Sequence, residues 1–339
     1  MDYLIRFTHL HESFRIPEIE ALADLNGLDL QVLEYSLDSP FCVVRLPSEA
    51  AARTLVERAI LVQSMHELWG SGDTLSALHA DIRTRSARLL PARERRSFKF
   101  TLDGFRGTRS PEARTKLING FAFLGLRGPV SLSTPDEVFT IFEDWECDSV
   151  PRGVEAPRRM HLGRFVTAGA RDTVLRYDLK KRGYISTTSM DAELALVTAN
   201  MAGAAPGRLV YDPFVGTGSF PVACAHFGAL AFGSDIDGRS MRGEGGRKSL
   251  AGNFEQYSLG ALLGDVFSAD LTNSPIRAPT GARLFDAIVC DPPYGVREGL
   301  RVLGVRDPVK YKALVEMGIK TWRCVEDGLV FPSKHVDGC

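Results

Sequence analysis

No run of apolar residues in this 339-residue chain approaches the ~18 needed to cross a bilayer. The first ten residues, MDYLIRFTHL, lack a basic segment followed by an apolar one, so they do not read as a secretory signal. A cytoplasmic protein without membrane attachment is the expectation. Its six cysteines are scattered with no CxxC pair, which argues for free thiols and against a disulfide framework. His9 and His11 have no cysteine, histidine or carboxylate cluster beside them, so no metal site is expected. A charge excess of one sign is also lacking, since 41 Lys and Arg face 42 Asp and Glu.

What is present is the composition of a globular protein, 44% hydrophobic and 24% charged. The length suits two domains of about 150 residues each. Residues 3–7, 41–46, 97–100, 130–132 and 138–142 read as strands. Residues 17–25, 47–60 and 74–89 read as helices, with Ser48 as a cap. These elements alternate irregularly and carry no glycine-rich loop, which points to an α+β binding module over residues 1–157. The segment PRGVEAP, from Pro151 to Pro157, reads as a linker. Beyond it strands at 209–211, 231–234, 261–263 and 285–290 alternate with helices at 191–201 and 219–227. That alternation predicts an α/β, doubly wound parallel sheet.

Charge is distributed unevenly. Between Arg83 and Arg127 stand 12 Lys or Arg against three acids, whereas residues 133–155 carry seven acids against Arg152. Phe98, Phe100 and Phe105 interleave with Lys99, Arg106 and Arg109. Cations beside stacking aromatics suit RNA, with Arg93, Arg95, Arg96 and Lys99 as the phosphate-contact candidates. The alternative is a basic surface whose phenylalanines simply face the core.

Four motifs close the strands of the second half. Asp212-Pro213-Phe214-Val215-Gly216-Thr217-Gly218 runs from a strand into a helix. Its glycines let the backbone turn sharply and approach a ligand. It lacks the lysine and the length of a P-loop, which argues against ATP or GTP. Asp235, 23 residues after Asp212, is placed to accept from ribose hydroxyls, or else to close a turn. Asp265, in Gly-Asp-Val-Phe, is a candidate acceptor for an adenine amino group. Asp291-Pro292-Pro293-Tyr294 decides the reading. Two prolines after a buried strand hold a carboxylate and a backbone carbonyl in fixed directions. Two such acceptors can take both hydrogens of a planar base amine and localise its lone pair, while Tyr294 stacks on the base. A sulfonium methyl, as in S-adenosylmethionine, is the matching electrophile. A merely rigid turn is the structural alternative.

The glycine loop with Asp291-Pro292-Pro293-Tyr294-Gly295 resembles the amino-methyltransferases of nucleic acids. Leu179-Lys180-Lys181-Arg182, Thr187-Thr188-Ser189-Met190-Asp191-Ala192-Glu193-Leu194 and Val296-Arg297-Glu298-Gly299 narrow the resemblance. They are similar to the catalytic subunit of the tRNA (guanine(10)-N2)-methyltransferase family. The resemblance implies a THUMP-like tRNA-binding region, then a Rossmann-like methyltransferase domain over residues 158–317. It implies methylation of the exocyclic N2 of a guanosine in tRNA and a small zinc-binding activator subunit as partner. It also places Thr188 and Ser189 near the methionine part of the cofactor and adds Lys180, Lys181 and Arg182 to the RNA contacts. Four strands are placed before Asp291, fewer than that sheet requires, and only 45 residues follow Tyr294. The expectation is therefore a truncated methyltransferase domain and an atypical tail at 318–339. A non-catalytic tRNA-binding protein, or an adenine-N6 methyltransferase of DNA or RNA, are the alternatives.

Overall fold

The computed structural model describes residues 1–147, 149, 152–271, 274–277, 282–292, 322–323 and 330–331. The chain divides into two compact units. The first comprises residues 1–177 and 196–203, and the second comprises residues 178–195 and those from 204 onward.

The strands of the first unit are β1 (Asp2–Phe7), β2 (Gln31–Tyr35), β3 (Phe41–Arg45), β4 (Val62–Gly72), β5 (Phe98–Phe105), β6 (Glu137–Asp144) and β7 (Arg159–Ala168). They form one sheet in the order β2-β3-β1-β4-β7-β6-β5, antiparallel except for the β5–β6 pair. The helices are α1 (Arg15–Leu25), α2 (Glu49–Val56), α3 (Leu75–Leu89), α4 (Pro111–Asn119) and α5 (Asp172–Tyr177). Local chemistry starts three of them. Ser48, Thr74 and Ser110 each accept from the backbone N–H three residues on, and Pro111 opens α4. Helix α3 lies close on β4 because Gly70 and Gly72 leave room. A Cβ on Gly70 would stand 2.4 Å from Ile82 Cγ1. The resulting core joins Trp69, Leu78, Ile82, Phe121, Phe139 and Leu162.

Two expectations change here. Residues 151–157 are no domain linker. They lie in the connection between β6 and β7, and β7 is an interior strand of the sheet, so the first unit runs on to Tyr177. The 130–132 stretch makes only an isolated bridge, Val130 to Phe98. Strands β2, β4 and β7 and helix α4 went unread, because their apolar residues follow no clean period of two or 3.6.

The second unit carries β8 (Leu209–Asp212), β9 (Leu230–Asp235), β10 (Leu263–Ser268) and β11 (Ala287–Ile288). They form a parallel sheet in the order β10-β9-β8-β11. This is the doubly wound arrangement expected. Its strand order reverses between β8 and β11, which opens a crevice at their carboxyl ends. The second half of the chain also holds helices α6 (Ala192–Met201), α7 (Ser219–His226), α8 (Gly238–Arg242) and α9 (Leu250–Gln256), and a short antiparallel pair of Trp322–Arg323 with Val330–Phe331. The last residues of α6 count with the first unit. Asp286 pins β11 to β8 by exchanging hydrogen bonds with Leu209, accepting from its N–H at 2.8 Å.

Candidate functional site

The crevice at the strand-order reversal holds two of the four motifs face to face. Asp212 ends β8 and Asp291 follows β11, the adjacent strand. Asp212 is only 2% exposed, and its Oδ1 accepts from Phe214 N at 2.9 Å. Burial raises its carboxyl to about 7, with the negative charges of Asp235 and Asp291 adding to the rise. Burial likewise raises the Cys290 thiol, beside the same two acids, Asp212 and Asp291. Carboxylates brought this close together favour a cationic ligand. Pro292 is exposed beside Asp291. Tyr294 lies outside the described residues.

The glycine loop leaves β8 and closes over the end of β9. Gly216 has φ 48° and Gly218 φ 86°, left-handed conformations that side chains rarely adopt. Asp235 organises this turn. One carboxylate oxygen accepts from Gly216 N at 3.0 Å and the other from Asp237 N at 2.8 Å. An ionised carboxylate offers about four acceptor positions, so two remain for a ligand hydroxyl. The turn role and the ribose role are therefore compatible. Gly233, two residues before Asp235 in the same motif, lets the loop sit down on β9, since a Cβ there would stand 2.5 Å from Val215.

Thr188 and Ser189 come to the same place. Ser189 Oγ lies 2.8 Å from Thr217 Oγ1 in the glycine loop. Ser186 Oγ lies 3.2 Å from Thr188 Oγ1. Two side chains of α9 hold the preceding segment. Asn253, fully buried, donates to Tyr184 O at 2.8 Å and to Thr217 O at 3.0 Å, and accepts from Tyr184 N at 3.0 Å. Gln256 accepts from Gly183 N and donates to Lys181 O. Asn253 thus ties that segment to the glycine loop. Nothing in the sequence marked it, because α9 has only seven residues and shows no extended periodicity.

Not every candidate converges. Asp265 is exposed and lies inside β10, with Val266, Phe267 and Ser268 continuing the strand past it. The reading that ended this strand at residue 263 stopped too early, and Ser268, not Asp265, pairs with Asp235 at the carboxyl edge. Lys180 and Lys181 are exposed, but Arg182 is 6% exposed and donates to Ser219 Oγ at 3.0 Å.

In the first unit much of the charge segregation cancels. Arg96 pairs with Glu137 at 3.3 Å and Arg109 with Glu143 at 2.7 Å, across the basic and acidic stretches. Arg93 sits in a cluster with Glu67, Glu137 and Glu49, shared with the buried Arg164. Its charge is spent inside the fold. Phe100 stacks on Phe121 and Phe139, and Phe98 packs on the same core. The core alternative therefore holds for these two aromatics. Arg95, Arg114 and Lys116 stay exposed with no ion pair among the described residues, and Lys99 is half-buried on β5.

Comparison with known proteins follows this division of the chain. The family model described as the Tmrp11 THUMP N-terminal domain matches residues 1–171, and the RMKL-like methyltransferase domain matches residues 180–302. The tRNA (guanine(10)-N(2))-methyltransferase of Saccharomyces cerevisiae is 41% identical, over 94% of this chain and 73% of that protein. The enzyme of the same name from Schizosaccharomyces pombe is 38% identical over 88% and 69%. The one from Homo sapiens is 34% identical over 96% and 71%. Among solved structures, TrmN from Thermus thermophilus aligns with a TM-score of 0.42 at 18% identity, over 88% of this chain and 81% of that one.

Proposed function

This chain belongs to the family of tRNA (guanine(10)-N(2))-methyltransferases, and from that premise we propose how its second unit methylates the exocyclic N2 of guanosine 10 in tRNA. The cofactor is S-adenosylmethionine. When bound, it supplies an electrophilic methyl group on a sulfonium. The residues present fit it. Gly216 and Gly218 put bare backbone at the crevice, Asp235 keeps acceptor positions for ribose hydroxyls, and Asp212 and Asp291 offset a positive charge. Thr217, Thr188 and Ser189 close the other side of the loop.

The observation that carries the catalytic assignment is the pairing of β8 with β11, which sets Asp291 beside the cofactor loop. Pro292 removes a backbone donor there and stiffens the turn. The Asp291 carboxylate and the backbone carbonyl of Pro292 accept the two N–H groups of the guanine amine. This keeps the nitrogen lone pair out of the ring, and Asp291 stabilises the positive charge that builds on nitrogen. Tyr294 is the stacking partner for the base, which leaves the tRNA helix to enter the crevice.

In the first unit Arg95, Arg96 and Lys99, joined by Arg114 and Lys116, are the proposed phosphate contacts, with Lys180 and Lys181 in the second. A small zinc-binding activator subunit is the proposed partner, supported by the family resemblance, and the cytoplasm is the proposed compartment. Among the described residues no helix is long and apolar enough to cross a membrane.

The test is methyl transfer to a tRNA transcript by the full chain with the activator subunit, comparing the parent with Asp291→Asn. Asn keeps the volume but turns one acceptor into a donor. The expected loss in kcat is about a hundred- to a thousand-fold, with cofactor affinity unchanged. A variant within a few-fold of the parent would remove Asp291 from the reaction. Methylation that survives replacement of guanosine 10 would overturn the substrate assignment.

A further inference from the structure

Resting on the cofactor reading above, we propose that Arg182, together with the start of α7, binds the carboxylate of the cofactor's amino-acid portion. Arg182 is 6% exposed, and among the described residues its side chain makes one hydrogen bond, from Nη1 to Ser219 Oγ at 3.0 Å. Its Nε is buried with no partner among the described residues. Among the described residues no carboxylate stands within ion-pair distance of it. A guanidinium carries its charge at any pH a protein survives and offers five donors. Buried without an anion, that charge works against the fold.

A second feature points to the same missing anion. Helix α7 begins at Ser219 after Gly218, which has φ 86° and provides no side chain to cap the first turn. The amide N–H groups of Ser219 and Phe220 therefore lack a side-chain acceptor among the described residues and sit at the positive end of the helix dipole. Unsatisfied helix donors beside a buried guanidinium form an anion site.

The location selects the anion. Ser219 follows the glycine loop directly, and Thr217 touches Ser189, so the site adjoins the proposed cofactor crevice. The amino-acid carboxylate is the one anionic group of an adenosyl sulfonium, and a planar carboxylate matches the guanidinium fork. A tRNA phosphate is disfavoured by the depth of Arg182, whose exposed neighbours Lys180 and Lys181 are better placed for it. Asn253 and Gln256 hold the segment around Arg182, which keeps the guanidinium in place before the ligand arrives.

The experiment is calorimetric titration of the full chain and its Arg182→Met and Arg182→Lys variants. S-adenosylhomocysteine and 5′-methylthioadenosine, which lacks the amino-acid portion, serve as ligands. Arg182→Met is expected to weaken S-adenosylhomocysteine by about ten- to a hundred-fold while leaving 5′-methylthioadenosine within about twofold. Retained 5′-methylthioadenosine binding also reports an intact fold. Arg182→Lys, which keeps the charge but loses the fork, is expected to fall between, and it carries the test if the methionine variant does not fold. Equal weakening of both ligands, or of neither, overturns the proposal. So does a loss of tRNA affinity with S-adenosylhomocysteine binding intact. A parent chain that binds neither ligand would instead refute the cofactor site on which the proposal rests.

Discussion

Replacing Asp212 by Asn should stabilise the ligand-free protein at alkaline pH and do nothing at acid pH. Asp212 is buried at the end of β8, where burial first, then the charges of Asp235 and Asp291, raise its carboxyl from the ordinary 3.8 to about 7. Between those values the folded chain holds a proton that the unfolded chain has released. Stability therefore falls as pH rises from about 4 through about 7. A displacement of this size corresponds to about 4 kcal/mol for ionising the group in place. This is an upper bound, because neighbouring carboxylates titrate together. Asn keeps the Oδ1 acceptor for Phe214 N and cannot ionise. Urea unfolding of parent and variant across pH 4 to 8 measures the difference, and the contribution of the first unit cancels between them. Equal stability at pH 8, or a gap that widens as pH falls, would refute the reasoning. The same proton should leave when a cation binds, so cofactor binding near neutral pH should release protons in the parent and not in the variant.

Asn253→Ala removes both donors that hold Tyr184 O and Thr217 O and strands Tyr184 N. It should cost about 1–3 kcal/mol for each buried group left unpaired. Thermal unfolding and cofactor titration should both register the change, and an unaltered melting profile would mean that the tie to the glycine loop is idle. Binding of tRNA to the full chain should weaken steeply with salt, and replacing Arg95, Lys99, Arg114 and Lys116 by Gln should flatten that slope. If the slope is the same before and after, these side chains are solvated surface.

Several elements were legible in the sequence because their cause is local. Ser48 and Thr74 start helices by capping a backbone N–H three residues on, which any reading of nearby residues can find. The glycine loop was legible for the same reason. Gly216 and Gly218 supply left-handed turns right after a short apolar strand. Asp265 shows the limit of this kind of reading. Glycine and aspartate looked like a strand end, whereas pairing with β9 carries β10 on to Ser268.

By itself, then, the sequence determined the chemistry placed at strand ends: a glycine loop, an acid after the next strand, and an acid held by prolines. Those depend on backbone torsion and on residues a few positions apart. Tertiary structure alone decided which charges act and which are consumed. Arg93 and Arg182 read as surface cations beside Arg95 and Lys181, yet one is drawn into the Glu67–Arg164 cluster and the other is buried against Ser219. The strand order decided the rest. Pairing of β7 with β4 and β6 carried the first unit past the proline-rich stretch, and pairing of β11 with β8 brought Asp291 to Asp212. Partners separated by tens of residues leave no periodic trace in the chain, because their free energy comes from contacts that exist only once the sheet has formed.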